Sequence, residues 1–185
     1  MIEDPLYLDK KTPVYMIGDL TNMLMYEHSI ICKVEWEKFG YNVNHVVNLG
    51  KRQYDFFNQV ENIYDDIESG FERIHFLSHI ALWKKLRKKS TGSIITDHQS
   101  FIVRDLPRSV NELPFKFTES TIIRDNKFSV SKSYFIQPKT CHILYDKIMN
   151  YNGPFFTIGE FISRVAIENN WVSNNEQTYT IKHVL

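Results

Sequence analysis

Asp97 and His98 follow directly on a short apolar run, Ser93-Ile94-Ile95-Thr96, and this is the most chemically suggestive placement in the chain. The run is short and β-branched and sits behind Ser90-Thr91-Gly92, so it reads as a buried strand after a turn. In open α/β sheets, ligands settle beyond the carboxyl ends of the strands. A carboxylate there can hold a divalent cation or a sugar hydroxyl. An imidazole stands directly beside it in sequence.

Other polar groups carry less chemistry. His75 and His79 lie four apart and share a helical face, as in two-histidine zinc sites, but no glutamate follows the first and no third ligand is evident. A buried, hydrogen-bonded His79 supporting a site from behind is the better reading. Ser78, next to it, has no nucleophile elbow around it. Asp65 and Asp66 are adjacent on a helical stretch and so diverge. Asp19 follows a candidate strand, where it can cap the next helix. Glu160, early in a late helix, reads by itself as a surface acid. His45 reads as a strand residue pointing to solvent.

The elements that would position these groups alternate between strand and helix. Val14 to Ile17 reads as a first strand, ended by Gly18-Asp19. Thr21 or Asn22 through Phe39 has helical spacing, with Leu24, Ile31, Val34 and Phe39 as its apolar side and Gly40 as its stop. Val43 to Val47 is a second strand, and strand, helix, strand is the unit of a parallel sheet. Arg52 to Asp66 looks helical. From Phe71 runs an amphipathic helix with Ile74, Leu77, Ile80, Ala81, Trp83 and Leu86 inward. Lys84, Lys85, Arg87, Lys88 and Lys89 close it, where cations complement the helix dipole. Beyond Asp97, Phe101-Ile102-Val103 leads to Asp105-Leu106-Pro107, and a short helix follows through Leu113. β-like segments follow at 115–119, 121–123 and 128–136. Two more helices follow, one from Pro138 through Met149 and one over Phe155 to Asn169, before a last strand from Tyr179 to Val184.

Two blocks of this sequence resemble the glycosyltransferases of family 25, the lipopolysaccharide-biosynthesis and collagen-galactosyltransferase type. The first is Leu77-Ser78-His79 with Trp83 four residues on, followed by the strand that ends in Asp97. The second is Ser133-Tyr134-Phe135-Ile136-Gln137-Pro138 and the helix after it. Ile74-His75 stands where the family has Gly-Cys, and Thr96-Asp97-His98 where it has Glu-Asp-Asp. Gly18-Asp19-Leu20-Thr21 replaces the family's Asn-Leu-Asp-Arg, and Thr140-Cys141 its Gly-Ala.

The resemblance implies a glycosyltransferase-A-like, Rossmann-like α/β fold with a mixed, mainly parallel sheet. It implies transfer of a sugar from a nucleotide-sugar donor to an acceptor hydroxyl on a glycan, a protein or a modified nucleic acid. Asp97 and His98 would then hold manganese or magnesium, Asp19, Ser78, His79 and Asp97 would lie at the donor, and Glu160 would serve the acceptor. The altered acidic motif also admits a second expectation, a protein of the same fold that binds without turnover. Contact of the Lys84–Lys89 cluster with phosphate-bearing acceptors, nucleic acid included, is a third.

Composition sets the outer bounds. At 185 residues, 1–185 is most simply one domain with room for a real core. Formal net charge is zero, which removes any global electrostatic case for nucleic-acid or membrane partners. Cys32 and Cys141, far apart, suit buried thiols in a reducing compartment, with one disulfide as the alternative. No apolar run reaches membrane-spanning length and the first residues lack a signal pattern, so a cytoplasmic location is expected. The richness in Asn, Lys, Ile and Tyr suits an AT-rich genome such as a viral one.

Overall fold

Five strands form the central sheet, in the order β3-β2-β4-β8-β7. These are β2 (Val14–Gly18), β3 (Val43–Val47), β4 (Ser93–Asp97), β7 (Phe115–Phe117) and β8 (Ser133–Ile136). The computed structural model describes residues 6–7, 9–18, 22–47, 70–98, 100–102, 109–110, 115–117, 133–151, 158–169 and 181–183. β2 pairs in parallel with both β3 and β4, and β8 runs antiparallel to both β4 and β7. Four of the five strands therefore point the same way and β8 alone is reversed, which makes the sheet mixed but mainly parallel. Two strand pairs lie outside it, β1 (Leu6–Tyr7) with β6 (Ser109–Val110) and β5 (Ser100–Ile102) with β9 (Ile181–His183).

Helices cover both faces, as a parallel sheet requires. On one face lies α1 (Met23–Lys38). On the other lie α2 (Gly70–Leu86), α3 (Pro138–Met149) and α4 (Ile158–Glu168). The period-two alternation of the strands divides the core accordingly. Tyr15, Ile17, Ile95, Tyr134 and Ile136 pack with Leu77, Ile80, Trp83, Leu144 and Phe161. Val14, Met16, Val43, Ile94 and Phe135 pack with Cys32 and Trp36 of α1. Ile94 and Ile95 are both fully buried on opposite faces of β4, each burial contributing about 1.5–3 kcal/mol. Cys32 and Cys141 are both free thiols.

Helix ends follow the sequence signals. Asn22 caps α1 by accepting the Met25 amide at 3.2 Å, and Gly40 turns the chain out of it at φ 84°. Pro138 opens α3, where its missing N–H costs nothing.

Three expectations are corrected. The buried residues of α1 are Ser29, Cys32 and Trp36, while Leu24, Ile31 and Val34 are 61%, 51% and 44% exposed. The helix is rotated so that its indole and thiol reach backbone carbonyls across the fold. Ser109 and Val110 form β6 against β1 and not a helix. His45 is half-buried against α1 instead of facing solvent: its Nε2 lies 2.6 Å from Ser29 Oγ and its ring stacks on Tyr26. The helix expected over Arg52 to Asp66 and the strand at 121–123 lie outside the described residues.

Candidate functional site

The chain leaves β2, crosses over α1 to β3 on one side, and later returns to β4 on the other side of β2. β2 is thus the point at which strand order reverses, where α/β sheets open a crevice for ligands. Register brings the strand ends together there. Gly18 pairs with Val47, and Ile17 pairs with Asp97. The capped N-terminus of α1, with no acidic side chain in its first turn, follows β2 at that edge.

Asp97 stands at this edge but is enclosed, at 3% exposure. Its Oδ1 accepts a hydrogen bond from Ser100 Oγ at 2.7 Å. His98 is also 3% exposed. The intervening turn is tied to α1 twice: Cys32 Sγ donates to the His98 carbonyl at 3.1 Å, and Trp36 Nε1 donates to the Ser100 carbonyl at 2.9 Å. Burial, then the negative charges of Asp97 and Glu35, push the Cys32 thiol up to about 12, so it remains protonated and able to donate. Asp97 is therefore enclosed and not a carboxylate at an open mouth.

In kind, the two side chains suit manganese: one hard carboxylate oxygen and one imidazole nitrogen. In number they fall short. Among the described residues no group of three His, Cys, Asp or Glu side chains could hold a metal ion. Substrate phosphates and water would have to supply the rest of the shell.

Behind the strand end lies a second polar network, made from the blocks that carry the family resemblance. His79 Nδ1 is 2.5 Å from the Tyr134 hydroxyl, which also accepts from Trp83 Nε1 at 3.2 Å. Indole can only donate, so the Tyr134 hydroxyl accepts from Trp83 and has its own proton to give to His79 Nδ1. Burial, then the nearby charge of His75, hold His79 well below its ordinary range, so its imidazole is neutral. Burial likewise raises the Tyr134 phenol, and the network carries no charge. Thr96 Oγ1 and Ser133 Oγ, 2.6 Å apart, stitch β4 to β8.

The remaining predicted residues scatter. Ser78 is buried on α2 at 3% exposure. The rings of His75 and His79 lie edge to face, 4.7 Å apart. Glu160 is half-buried in the first turn of α4. Asp19 lies outside the described residues. The lysine cluster ends α2 just before β4 begins, so it sits at the amino edge of the sheet, opposite the edge that carries Asp97. There Arg87 pairs with Asp146 at 3.3 Å and lies over the Tyr145 ring, while Lys85 reaches over Tyr15. Ser100, Cys32, Trp36 and Tyr134 escaped the sequence reading as site residues. Only Ser100 left a local signal, a hydroxyl three residues after the acid.

No protein-family model and no curated protein matches the sequence. Among solved structures, one described as a transferase mutant is similar over 97% of this chain and 95% of its own, with a TM-score of 0.50 at 11% identity. Another, described as a transferase, covers the same shares at 11% identity with a TM-score of 0.47, too low to argue from. At such identity the likeness speaks for the fold: a mixed α/β chain with a mainly parallel sheet flanked by helices, similar to a solved structure described as a transferase. No helix among the described residues is long and apolar enough to cross a membrane.

Proposed function

We propose that this chain is a divergent glycosyltransferase of the family-25 type, moving a sugar from a nucleotide-sugar donor to an acceptor hydroxyl. The observation that carries this reading is the position of Asp97, at the carboxyl end of β4 and paired with Ile17 where the strand order reverses. The donor's diphosphate would lie at that edge, toward the start of α1, since helix N-termini favour anions. Asp97 and His98 would be the residues to hold manganese or magnesium, with substrate phosphates and water completing the shell. When bound, the cation offsets the charge that builds on the departing nucleoside diphosphate. Ser78 and His79 support the donor side from α2, Asp19 contacts the nucleoside, and Glu160 takes the proton of the attacking hydroxyl.

One observation favours a second reading, binding without turnover. Asp97 is enclosed, and two side chains are a thin metal shell. Donor hydrolysis separates the two. A panel of nucleotide sugars with manganese, compared between the wild type and Asp97→Asn, is expected to show turnover that the substitution abolishes. Turnover unaffected by Asp97→Asn would overturn the assignment of the site, and donor binding with no turnover would select the second reading.

A further inference from the structure

α1 is apolar on two sides. Ser29, Cys32 and Trp36 are buried against the sheet, and the opposite side carries Met23, Leu24, Ile30, Ile31 and Val34, each 40–69% exposed. Among the described residues these five are the exposed large apolar side chains, and all stand on this one helix. A helix apolar all round has the composition of one buried on both sides. A contiguous apolar patch on a soluble chain marks an interaction surface.

The order of residues along that face selects the partner. Met23, Glu27, the Ile30-Ile31 pair, Val34 and Lys38 follow one another at three- and four-residue steps, the spacing of a helix-pairing seam. The seam has the same spacing read from either end. A two-fold axis between Ile30 and Ile31 sets Ile30 against Ile31, Glu27 against Val34 and Met23 against Lys38 of a second, antiparallel copy. Glu27 then lies one helical turn, about 5 Å along the axis, from Lys38 of that copy, within reach of its long side chain. A parallel copy would instead set Glu27 against Glu27. Lys38 is 62% exposed and pairs with Glu35 at 2.6 Å, a surface contact that costs little to exchange. A lipid surface fits this face poorly. Membrane-surface helices border their apolar side with lysine and arginine, whereas here Glu27 stands in its middle and Glu35 and Glu37 accompany Lys33 and Lys38.

We infer that α1 pairs with α1 of a second copy of this chain, antiparallel about a two-fold axis at Ile30 and Ile31. Ten large apolar side chains, each hiding about 100 Å², cover about 1,000 Å², near the lower bound for a specific interface. The dimer is therefore reversible and concentration-dependent. It stands apart from the assignment of Asp97, which belongs to the strand ends.

Sedimentation equilibrium of the full chain over a wide concentration range reads the association, and a monomer–dimer equilibrium is expected. Ile31→Lys, at a position 51% exposed in the single chain, is expected to keep the circular dichroism spectrum. It should raise the dimer dissociation constant about 100-fold or more, because the change enters the interface twice. Glu27→Lys and Lys38→Glu are each expected to weaken the dimer about 3–10-fold, and the double reversal to recover most of that loss. If Ile31→Lys does not fold, Ile30→Gln is read the same way. A chain that is monomeric throughout, or a dimer indifferent to Ile31→Lys, would overturn the inference. So would a double reversal no better than the single changes, since it removes the antiparallel pairing. A monomeric chain that floats with phosphatidylcholine–phosphatidylserine vesicles, and loses this in Ile31→Lys, would assign the face to a membrane instead.

Discussion

Tyr134→Phe removes one oxygen atom and keeps the ring, so its effect isolates the network that joins α2 to β8. The hydroxyl sits between His79 Nδ1 at 2.5 Å and Trp83 Nε1 at 3.2 Å, and all three residues are at most 2% exposed. Its loss strands an imidazole nitrogen and an indole N–H where water cannot replace it. A stranded buried partner costs about 1–3 kcal/mol, and two of them, partly relieved by small shifts, give about 3 kcal/mol. For a chain of this length that corresponds to a fall in melting temperature of roughly 6–12 °C. Urea unfolding followed by circular dichroism measures the free energy, and a thermal melt checks it. A double-mutant cycle with His79→Leu sharpens the test, because removing both partners should cost less than the sum of the single losses. A loss under about 1 kcal/mol, or strict additivity in the cycle, would refute the claim that this network is a stabilising unit.

Stability should also fall as pH drops. Burial holds His79, and to a lesser degree His45, below the ordinary 6.5, so the unfolded chain takes up protons there that the fold does not. Unfolding is then favoured progressively below pH 6.5, with a slope approaching about 1.4 kcal/mol per pH unit for each such histidine. Denaturant midpoints from pH 7.5 to 5 read this directly, and a flat profile would contradict a neutral buried His79. At Gly92, a Cβ would run into the Phe135 ring edge, with the Ile136 carbonyl 3.2 Å away. Gly92→Ala is expected to cost about 1–3 kcal/mol in urea unfolding as the ring is displaced, and an unchanged midpoint would show that β8 has slack there.

Much of the fold was legible because its signals are local. β2, β3 and β4 announce themselves as short β-branched runs bounded by turn residues, and Pro138 marks the start of α3. The inward face of α2 follows its helical spacing, with Leu77, Ile80, Trp83 and Leu86 all buried. The misreadings all come from partners distant in sequence. On α1, apolar spacing pointed to Leu24, Ile31 and Val34. The face is instead set by Trp36 and Cys32, whose hydrogen-bond partners lie 64 and 66 residues away. Ser109 and Val110 become a strand only because Leu6 and Tyr7 are there to pair with them. At the candidate site, the position of Asp97 was readable from its place after a strand. Its enclosure was not, because that comes from Ser100 and from the two ties that fix the turn to α1. Tyr134 was visible only as part of a pattern, and its role emerges when β8 is placed beside β4 and under α2.

The central claim is one of location: cation and diphosphate meet at the carboxyl ends of β2 and β4. Paramagnetic broadening of backbone amide signals by manganese, with a nucleoside diphosphate present, maps that location in solution. Broadening centred on Ile17, Gly18, Thr96, Asp97 and His98, lost in Asp97→Asn and sparing Lys84 to Lys89, is the predicted result. Broadening centred on the lysine cluster at the opposite edge of the sheet, or none at all, would contradict it.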